Sequence, residues 1–427
     1  AGVLRIQIND NPVRWFKENH RIRVADRVLN EHFAGTYDAF LVLEYTDDEV
    51  YRTLQADSAD TLAALDAAGY DTAAFRPQLA TAGDAQALDE LITALDDALF
   101  AAQADNVIAG LESLLARVEQ AQSDSRYFQR PDALQAIASL QEAMQDSGLV
   151  GKSNALPDVV KVVNRELRGG SDTDYVIPAS VPAVAQTLLQ YQSSHRPQDL
   201  WHMVTPDFAA TAIWLQLTSG DNQDMTRVID AVDAYLAENP LPDGVEARWA
   251  GKTFINVVWQ TAMVEGMVWS LVGAFVAVFV MMSLLFRSPL FGLVAMLPLT
   301  TTILAVYGLV GWVGKDYDMP IAVLSSLTLG LSVDFAIHFI ERMRALTRQT
   351  GSFTAAAEQM FEEPARAISR NAIVIALGFT PLFFAPLVPY ITVGAFMASI
   401  MALSGTATLL LLPAVLGSVM RKNQRRK

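Results

Sequence analysis

Five long apolar segments in the C-terminal part of the chain limit its possible folds more than any other feature. Each exceeds the length of about 20 residues that an α-helix needs to cross the hydrocarbon core of a membrane. In chain order they are residues 264–286, 290–313, 319–340, 367–387 and 391–420. The sequence therefore predicts an α-helical polytopic membrane bundle over residues 261–427.

The basic residues predict how this bundle is oriented. Arginines and lysines cluster after the first and third apolar segments and in the C-terminal tail, whereas the other two connections hold only Lys315. Short cytoplasmic connections carry the excess of positive charge. We therefore expect a cytoplasmic C-terminus, with residues 1–260 on the outer face. Because an outer N-terminal part must be exported, we also expect a further transmembrane helix before Ala1.

Charge and composition exclude several classes of function. The formal net charge is −15, and such a surface repels phosphates, so nucleic acid is not expected as a partner. The chain has no cysteine, and its five histidines lack metal-ligand spacing. The stretch "GLVGKS" ends like a phosphate-binding loop, but Asp146 stands where that pattern requires glycine. No metal or cofactor is therefore expected.

Residues 1–260 have the mixed periodicities of an α/β domain. Alternating apolar residues predict strands over 36–45, 208–218 and 245–250, and helical spacing predicts helices over 22–33, 132–145, 157–167, 182–192 and 225–236. The last two strands and the helix between them form a β-α-β unit. We therefore assign residues 1–50 to the start of this domain and residues 129–260 to its remainder.

An acidic, alanine-rich insertion occupies residues 51–128. Apolar side chains recur there at intervals of three and four residues in two sets: Leu88, Leu91, Leu95, Ala98 and Ile108, Leu111, Leu115, Val118. Such spacing is typical of packed helix seams, and Asn106 is expected to cap the second helix. We predict a helical hairpin over about 57–124 that docks a periplasmic or outer-membrane partner. The alternative is two helices packed back onto the domain.

The third apolar segment contains the stretch "LGLSVDFAIH", which places an aspartate in the membrane. On a helix, Ser326, Gly330, Asp334 and His338 recur every four residues and form one stripe. A carboxylate in the hydrocarbon core is costly, and desolvation favours its protonated form. Asp334 is therefore a candidate proton-coupling residue. The alternative is a hydrogen-bonded aspartate that only holds helices together.

The bundle contains other polar residues that could take part in proton coupling or contact Asp334. His338 is a second candidate for proton coupling, although a packed or snorkelling histidine near the cytoplasmic interface would also fit. Possible polar neighbours of Asp334 are Asn371, Thr380, Ser404, Thr406 and Thr408. The bundle has no nucleophile–base pair, no HExxH motif and no paired acids. We therefore do not expect an enzyme.

The stretch "LGLSVDFAIHFIERMR" resembles the fourth-helix motif G-x-G-V-D-Y-x-I-H of the resistance-nodulation-division (RND) superfamily. "INDNPVRWF" and "FRSPLFGLVAMLPL" resemble other parts of the same proteins, nearest to the hydrophobe/amphiphile and lipid exporters related to MmpL and hopanoid transporters. The resemblance implies an RND or sterol-sensing-domain-like bundle with an α/β periplasmic porter domain and a helical-hairpin insertion. Ser332 replaces the second glycine and Phe335 the tyrosine, so Asp334 would need its partner from elsewhere.

The resemblance also implies a function and a location. Such a protein is a proton-motive-force-driven exporter of hydrophobic or amphiphilic substrates, including lipids, in the bacterial inner membrane. The chain resembles one half of the usual two-half protein, so its expected partners are membrane lipids, the substrate, and a second RND half or another copy. The alternative is a non-transporting lipid- or sterol-sensing scaffold that recruits partners through its periplasmic domain.

Overall fold

The computed structural model describes residues 2–46, 49–83 and 85–424, without the side chains of residues 85, 325–328 and 419–424. The chain divides into two compact units. Unit 1 comprises Ala1–Leu29, Gly220–Gln223 and Ile255–Lys427. Unit 2 comprises Asn30–Ser219 and Asp224–Phe254.

The secondary structure of the described residues is mainly helical. The α-helices are α1 (Arg21–His32), α2 (Glu49–Ala67), α3 (Phe75–Thr81), α4 (Ala85–Ala101), α5 (Asp105–Ser125), α6 (Pro131–Asp146), α7 (Leu156–Leu167), α8 (Val181–Gln192), α9 (Asn222–Glu238), α10 (Lys252–Leu285), α11 (Pro289–Val313), α12 (Met319–Thr350), α13 (Phe353–Glu362), α14 (Pro364–Gly378) and α15 (Val388–Gln424). The strands are β1 (Tyr37–Tyr45), β2 (Val150–Asn154), β3 (Ala210–Leu217) and β4 (Val245–Ala250). Short 3₁₀ helices cover Val3–Arg5, Pro12–Trp15, Tyr127–Gln129, Asp172–Asp174, Pro197–His202 and Thr380–Phe384.

Unit 2 contains a four-stranded sheet with the order β2-β3-β1-β4. Each neighbouring pair is antiparallel, so β3 and β4 are parallel to each other with β1 between them. The strands β1 and β2 are likewise parallel on either side of β3. The two β-α-β units thus interlock, as in split β-α-β folds, and the predicted β-α-β unit is confirmed.

The central strands follow the alternation expected of a half-buried sheet. Leu41 and Leu43 of β1 are buried, and Leu41 pairs with the buried Ile213 of β3. Successive side chains point to opposite faces of a strand, so one face of this sheet is apolar. The three predicted strands are confirmed. The strand β2 was not predicted, because its sequence "VGKSN" has little apolar alternation.

The insertion forms four helices, α2 to α5, whereas the sequence predicted a hairpin of two helices. Leu88, Leu91 and Leu95 of α4 are fully buried, as the first seam predicts. On α5 the buried residues include Val107 and Leu114, whereas Ile108 and Leu115 are half-buried. The predicted seam of α5 was therefore wrong at these two positions, because α5 packs against both α2 and α4. The predicted cap was also wrong: α5 begins at Asp105, before Asn106.

Among the described residues, five helical spans are long and apolar enough to cross a membrane, and all of them lie in unit 1 apart from the first three residues of the first span. Their bounds are Lys252–Leu285, Pro289–Val313, Met319–Thr350, Pro364–Phe384 and Val388–Ser418. The predicted polytopic helical bundle is therefore confirmed. Its core contains large apolar side chains of α12 and α15, among them Phe339, Met343, Phe396 and Ile400. The helices α11 and α12 are followed by the capping residues Gly314 and Gly351, whose positive φ angles suit glycine.

Candidate functional site

The site predicted from the sequence lies on α12. This helix buries Val333, Phe335 and Ala336 in the apolar core of unit 1. Asp334 and His338, on the other side of the helix, are exposed in this chain. The alternation follows from the helical repeat, because residues four positions apart share a face. The structure therefore separates one buried face of α12 from one exposed polar face.

The exposed face carries most of the predicted stripe. Gly330, Asp334 and His338 all lie on it, and Glu341 continues it toward the end of the helix. The predicted member Ser326 lies outside the side chains that the structure describes. Among the described residues, the Asp334 carboxylate has no hydrogen bond or ion pair. A carboxylate on the surface of an apolar span cannot be left facing lipid without a large cost.

Two other predicted residues of α12 lie on its buried face. Ser332 is fully buried, and its carbonyl oxygen accepts a hydrogen bond of 3.1 Å from the Ser404 hydroxyl of α15. Thr408, one turn further along α15, is also fully buried. Phe335 is buried in the core. The structure thus brings Ser404 to Ser332, about 200° around α12 from Asp334.

The remaining polar candidates are satisfied locally or exposed. The Thr380 hydroxyl donates to the carbonyl oxygen of Leu377, and the Thr406 hydroxyl to that of Ala402, each at 2.7 Å. Asn371 of α14 is exposed. Such bonds to the preceding turn are common for threonine in helices. In this chain each of the two threonine hydroxyls is therefore hydrogen-bonded within its own helical span.

A polar junction at the start of α12 was missed in the sequence. Asp318 caps α12 by accepting a hydrogen bond from the Ile321 amide, and its carboxylate pairs with Lys315 at 2.5 Å. The buried Asp10 accepts a hydrogen bond of 3.1 Å from the Trp15 indole. Burial raises the pKa of Asp10, and the nearby charge of Asp318 adds to this increase, while Trp15 and Lys315 oppose it.

The same junction includes residues from three distant parts of the sequence. The Asn11 amide donates to Asp221 at 2.8 Å, and the guanidinium of Arg14 pairs with both Asp221 and Asp316. The backbone amide of Asn222 donates to the Asn9 side chain at 3.1 Å. The dense polar runs "NDN" at 9–11 and "KDYD" at 315–318 could have indicated this cluster. Their pairing could not be predicted, because the partners lie more than 200 residues apart.

Comparison with known proteins places the chain in a family. The MMPL family matches residues 101–427. The membrane protein MJ1562 of Methanocaldococcus jannaschii is 23% identical over 287 residues, which cover 67% of this chain and 71% of that protein. The solvent-resistant pump membrane transporter SrpB of Pseudomonas putida is 27% identical over 181 residues, which cover 42% of this chain and 17% of SrpB. The resemblance found in the sequence is confirmed, and the chain belongs to the MMPL family.

Proposed function

We propose that this chain is part of an RND-type secondary transporter that exports hydrophobic or amphiphilic substrates and is driven by the proton motive force. Membership in the MMPL family and similarity to a solvent-resistant pump support the transporter class. The observation that carries the proton-coupling proposal is Asp334, exposed on an apolar span without a partner among the described residues. We place the protein in a bacterial inner membrane, with unit 2 in the periplasm.

The exposed face of α12 requires a protein partner. An ionised carboxylate in the membrane almost always faces a bundle interior or a water-filled cavity and pairs with another group. Gly330 on the same face leaves room for a neighbouring helix to approach closely. The protein that covers this face is a second half of the RND type or another copy of this chain. Asp334 would then lie between the two bundles.

Protonation of Asp334 changes which neighbours it favours, because the neutral acid can donate a hydrogen bond and the carboxylate can only accept. The opposite face of α12 packs against α15, and Phe339 and Ile400 belong to the core that the two helices share. We therefore expect α12 to move with α15. The start of α12 at Asp318 lies about 24 Å along the helix from Asp334. A shift of α12 would therefore reach the polar junction.

The test is the variant Asp334→Asn, reconstituted in proteoliposomes with an imposed pH gradient. Proton flux is followed with entrapped pyranine, and export with a fluorescent naphthylamine. The matched control is Glu341→Gln, which neutralises an acid two turns further along the same face. We expect Asp334→Asn to abolish both fluxes and the control to retain them. Transport that persists in Asp334→Asn would overturn the proton-coupling role.

The same assay distinguishes between a transporter and the alternative function, a lipid-sensing scaffold. A scaffold would bind lipid and change conformation without moving protons or the naphthylamine across the membrane. We expect wild-type protein to couple the two fluxes. Because a second half is part of the proposal, native mass spectrometry of the reconstituted complex shows which chains are present in the active preparation.

We further propose that the acidic helices α2 to α5 dock a periplasmic or outer-membrane partner. Arg52, Arg76 and Arg117 are the basic residues between positions 49 and 125, among many Asp and Glu residues. Phe100, at the end of α4, is 96% exposed. Deletion of about residues 57–124 should impair export in cells while leaving the protein in the membrane. Unchanged export would remove the docking role.

A further inference from the structure

The helix α1 turns its apolar side away from the rest of the chain. Four residues lie within an arc of about 120° at 3.6 residues per turn, and we call them the apolar face of α1: Ile22, Ala25, Val28 and Leu29. All four are exposed, and the three larger side chains are 47%, 44% and 43% exposed in chain order. A surface helix normally packs its apolar side on the core. The apolar face is therefore expected to be covered by something outside this chain.

The side of α1 that the chain covers is mainly polar. Within residues 21–29 the half-buried residues are Arg23, Val24 and Asp26, and none is fully buried. The guanidinium group of Arg23 donates a hydrogen bond of 3.3 Å to the carbonyl oxygen of Phe16. The ring of Phe16 stacks on that of His20 at 4.6 Å. These contacts determine how α1 is turned, and they keep the apolar face at the surface.

The position of α1 within unit 1 indicates what this cover is. The segment before α1 crosses the end of the bundle at which α12 and α15 begin, because Ile8 pairs with Tyr317 and Phe16 pairs with Leu387. Since Arg23 reaches back to the Phe16 carbonyl, the first turn of α1 lies within the length of one side chain of this end. Both α12 and α15 contain spans that can cross a membrane. The helix α1 therefore begins near the level at which these spans enter the membrane.

The charge of this part of the chain complements an anionic membrane surface. Residues 14–29 contain five basic and two acidic residues, whereas the whole chain has a formal net charge of −15. Lys17, Arg21 and Arg27 are exposed. Arg21 lies on the same side of α1 as Ala25, and an arginine can lay its hydrocarbon stem along apolar surface while its charge stays in water. Basic residues close to anionic phospholipids favour membrane binding.

We propose that α1 lies in the head-group region of a membrane that contains anionic phospholipid, with its apolar face toward the acyl chains. Helices with one apolar face and basic residues bind the membrane–water interface in this way. The inference goes beyond the proposed transport, because lipid contact at α1 requires no proton flux and no titration of Asp334. A loss of this contact and a loss of transport can therefore be observed separately.

The experiment places one fluorescent dye on α1 of the full chain in phosphatidylcholine nanodiscs. Because the chain has no cysteine, Ala25→Cys carries the dye NBD at a single position in the middle of the apolar face. A phosphatidylcholine with a nitroxide near the start of its acyl chain quenches NBD that lies among the lipids. We expect about twofold quenching at position 25, since an interfacial helix buries its apolar face at the boundary of head groups and acyl chains.

Two further dye positions serve as controls. Glu31→Cys carries the dye at an exposed position about 120° around α1 from Ala25, and Ala109→Cys carries it at an exposed position of α5. We expect weaker quenching at position 31 than at position 25, and none at position 109. Equal quenching at positions 25 and 31 would overturn the proposed orientation of α1.

The emission of the dye at position 25 also identifies other covers. Blue-shifted emission that the nitroxide lipid does not quench would overturn the lipid surface and show that a protein covers the apolar face. Emission like that at position 109, without quenching, would mean that the apolar face lies in water and would also overturn the proposal.

Variants of the apolar face test its contact with lipid. Leu29→Glu places a carboxylate one turn from the dye at position 25 and should abolish quenching in phosphatidylcholine nanodiscs. Ile22→Glu does the same from the other side of the dye and serves if the first variant does not fold. The control Asn19→Glu adds the same charge at an exposed position before α1 and should leave quenching unchanged. Quenching that survives both Leu29→Glu and Ile22→Glu would reject the apolar face as the lipid contact.

Lipid charge and proton coupling are tested separately. Replacing part of the phosphatidylcholine with phosphatidylglycerol should increase quenching at position 25 about twofold, and Arg21→Gln should reduce that increase. Equal quenching with and without phosphatidylglycerol would overturn the preference for anionic lipid. Asp334→Asn should be quenched like the wild type, whatever its effect on proton flux, so failure of the proposed transport would leave the lipid contact intact.

Discussion

The guanidinium group of Arg14 pairs with the carboxylate of Asp316 at 3.0 Å, although the two residues stand 302 positions apart in the chain. The same group pairs with Asp221. Arg14 therefore joins the N-terminal segment to the loop before α12 and to the short segment 220–223, all within unit 1.

The first prediction concerns this bridging arginine. Arg14→Ala should lower the thermal midpoint of unit 1, because Asp221, whose side chain is only 12% exposed, loses a charged partner. The Arg14 side chain is 48% exposed, so we expect about 1–2 kcal/mol. Arg248→Ala, at a more exposed ion pair on β4, is the control and should lower the thermal midpoint less, because exposed ion pairs contribute little to stability. Differential scanning fluorimetry in nanodiscs compares them, and equal losses would contradict the bridging role.

The second prediction is a pH dependence at Asp10. Its pKa is raised by burial in the folded protein, so its contribution to stability is fully present below the unfolded value of 3.8. That contribution is lost as the pH rises through the folded pKa. Asp10→Asn keeps an acceptor for the Trp15 indole and cannot ionise. The thermal midpoint of Asp10→Asn, relative to wild type, should therefore be higher at neutral pH than at pH 4.

Acids with a lowered pKa lose their contribution to stability when the pH falls, which is opposite to Asp10. The prediction therefore concerns the difference in thermal midpoint between wild type and Asp10→Asn. The pKa of Asp132 is lowered by the hydrogen bond from Arg130, and its contribution is lost on acidification. Wild type and Asp10→Asn share this effect, which cancels in their difference. A difference in thermal midpoint that stays constant from pH 4 to pH 8 would show that Asp10 does not titrate as described.

The third prediction uses two glycines on one face of α11. A Cβ atom added at Gly311 would overlap the carbonyl oxygen of Gly2, whereas one added at Gly308 would meet open space. Gly311→Ala should therefore destabilise unit 1 by about 1–3 kcal/mol, as overpacking does. Gly308→Ala should be neutral or stabilising by up to about 1 kcal/mol, because alanine favours a helix. Equal effects on the thermal midpoint would mean that the N-terminal segment does not pack here.

The fourth prediction separates packing from proton coupling on α12. Ser404→Ala removes the hydroxyl that donates to the Ser332 carbonyl and should cost about 0.6 kcal/mol, as interhelical hydrogen bonds in membranes do. Proton flux in proteoliposomes should persist, because Ser404 packs on the face of α12 opposite to Asp334. Ser404→Leu, which overfills a fully buried position, should cost about 1–3 kcal/mol. Loss of proton flux in stable Ser404→Ala protein would place Ser404 in the proton path.

Local patterns were enough for the five apolar spans, for the three longer strands and for the polar stripe. The five spans follow from apolar length, and the exposed face with Asp334 follows from a repeat of four residues on one helix. Both are properties of neighbouring residues, since a helix fixes the direction of each side chain relative to the next turn. The central strands of unit 2 were predicted for the same reason.

Packing partners could not be predicted in the same way. On α5 two adjacent apolar series compete, and contact with α2 as well as α4 decides that Val107 and Leu114 are buried in place of Ile108 and Leu115. The short strand β2 lacks a pattern of its own and exists because β3 offers it an edge. Burial of an ambiguous segment depends on what covers it.

The sequence by itself determined that the chain has five apolar spans, one of them with an aspartate on a polar stripe, beside an acidic α/β part. Only the tertiary structure decided that Asp10, Arg14, Asp221 and Asp318 meet at the start of α12. The physical reason is that helix formation and hydropathy act between near neighbours. Ion pairs arise where distant segments are brought together, and their pairing is encoded in no short stretch of sequence.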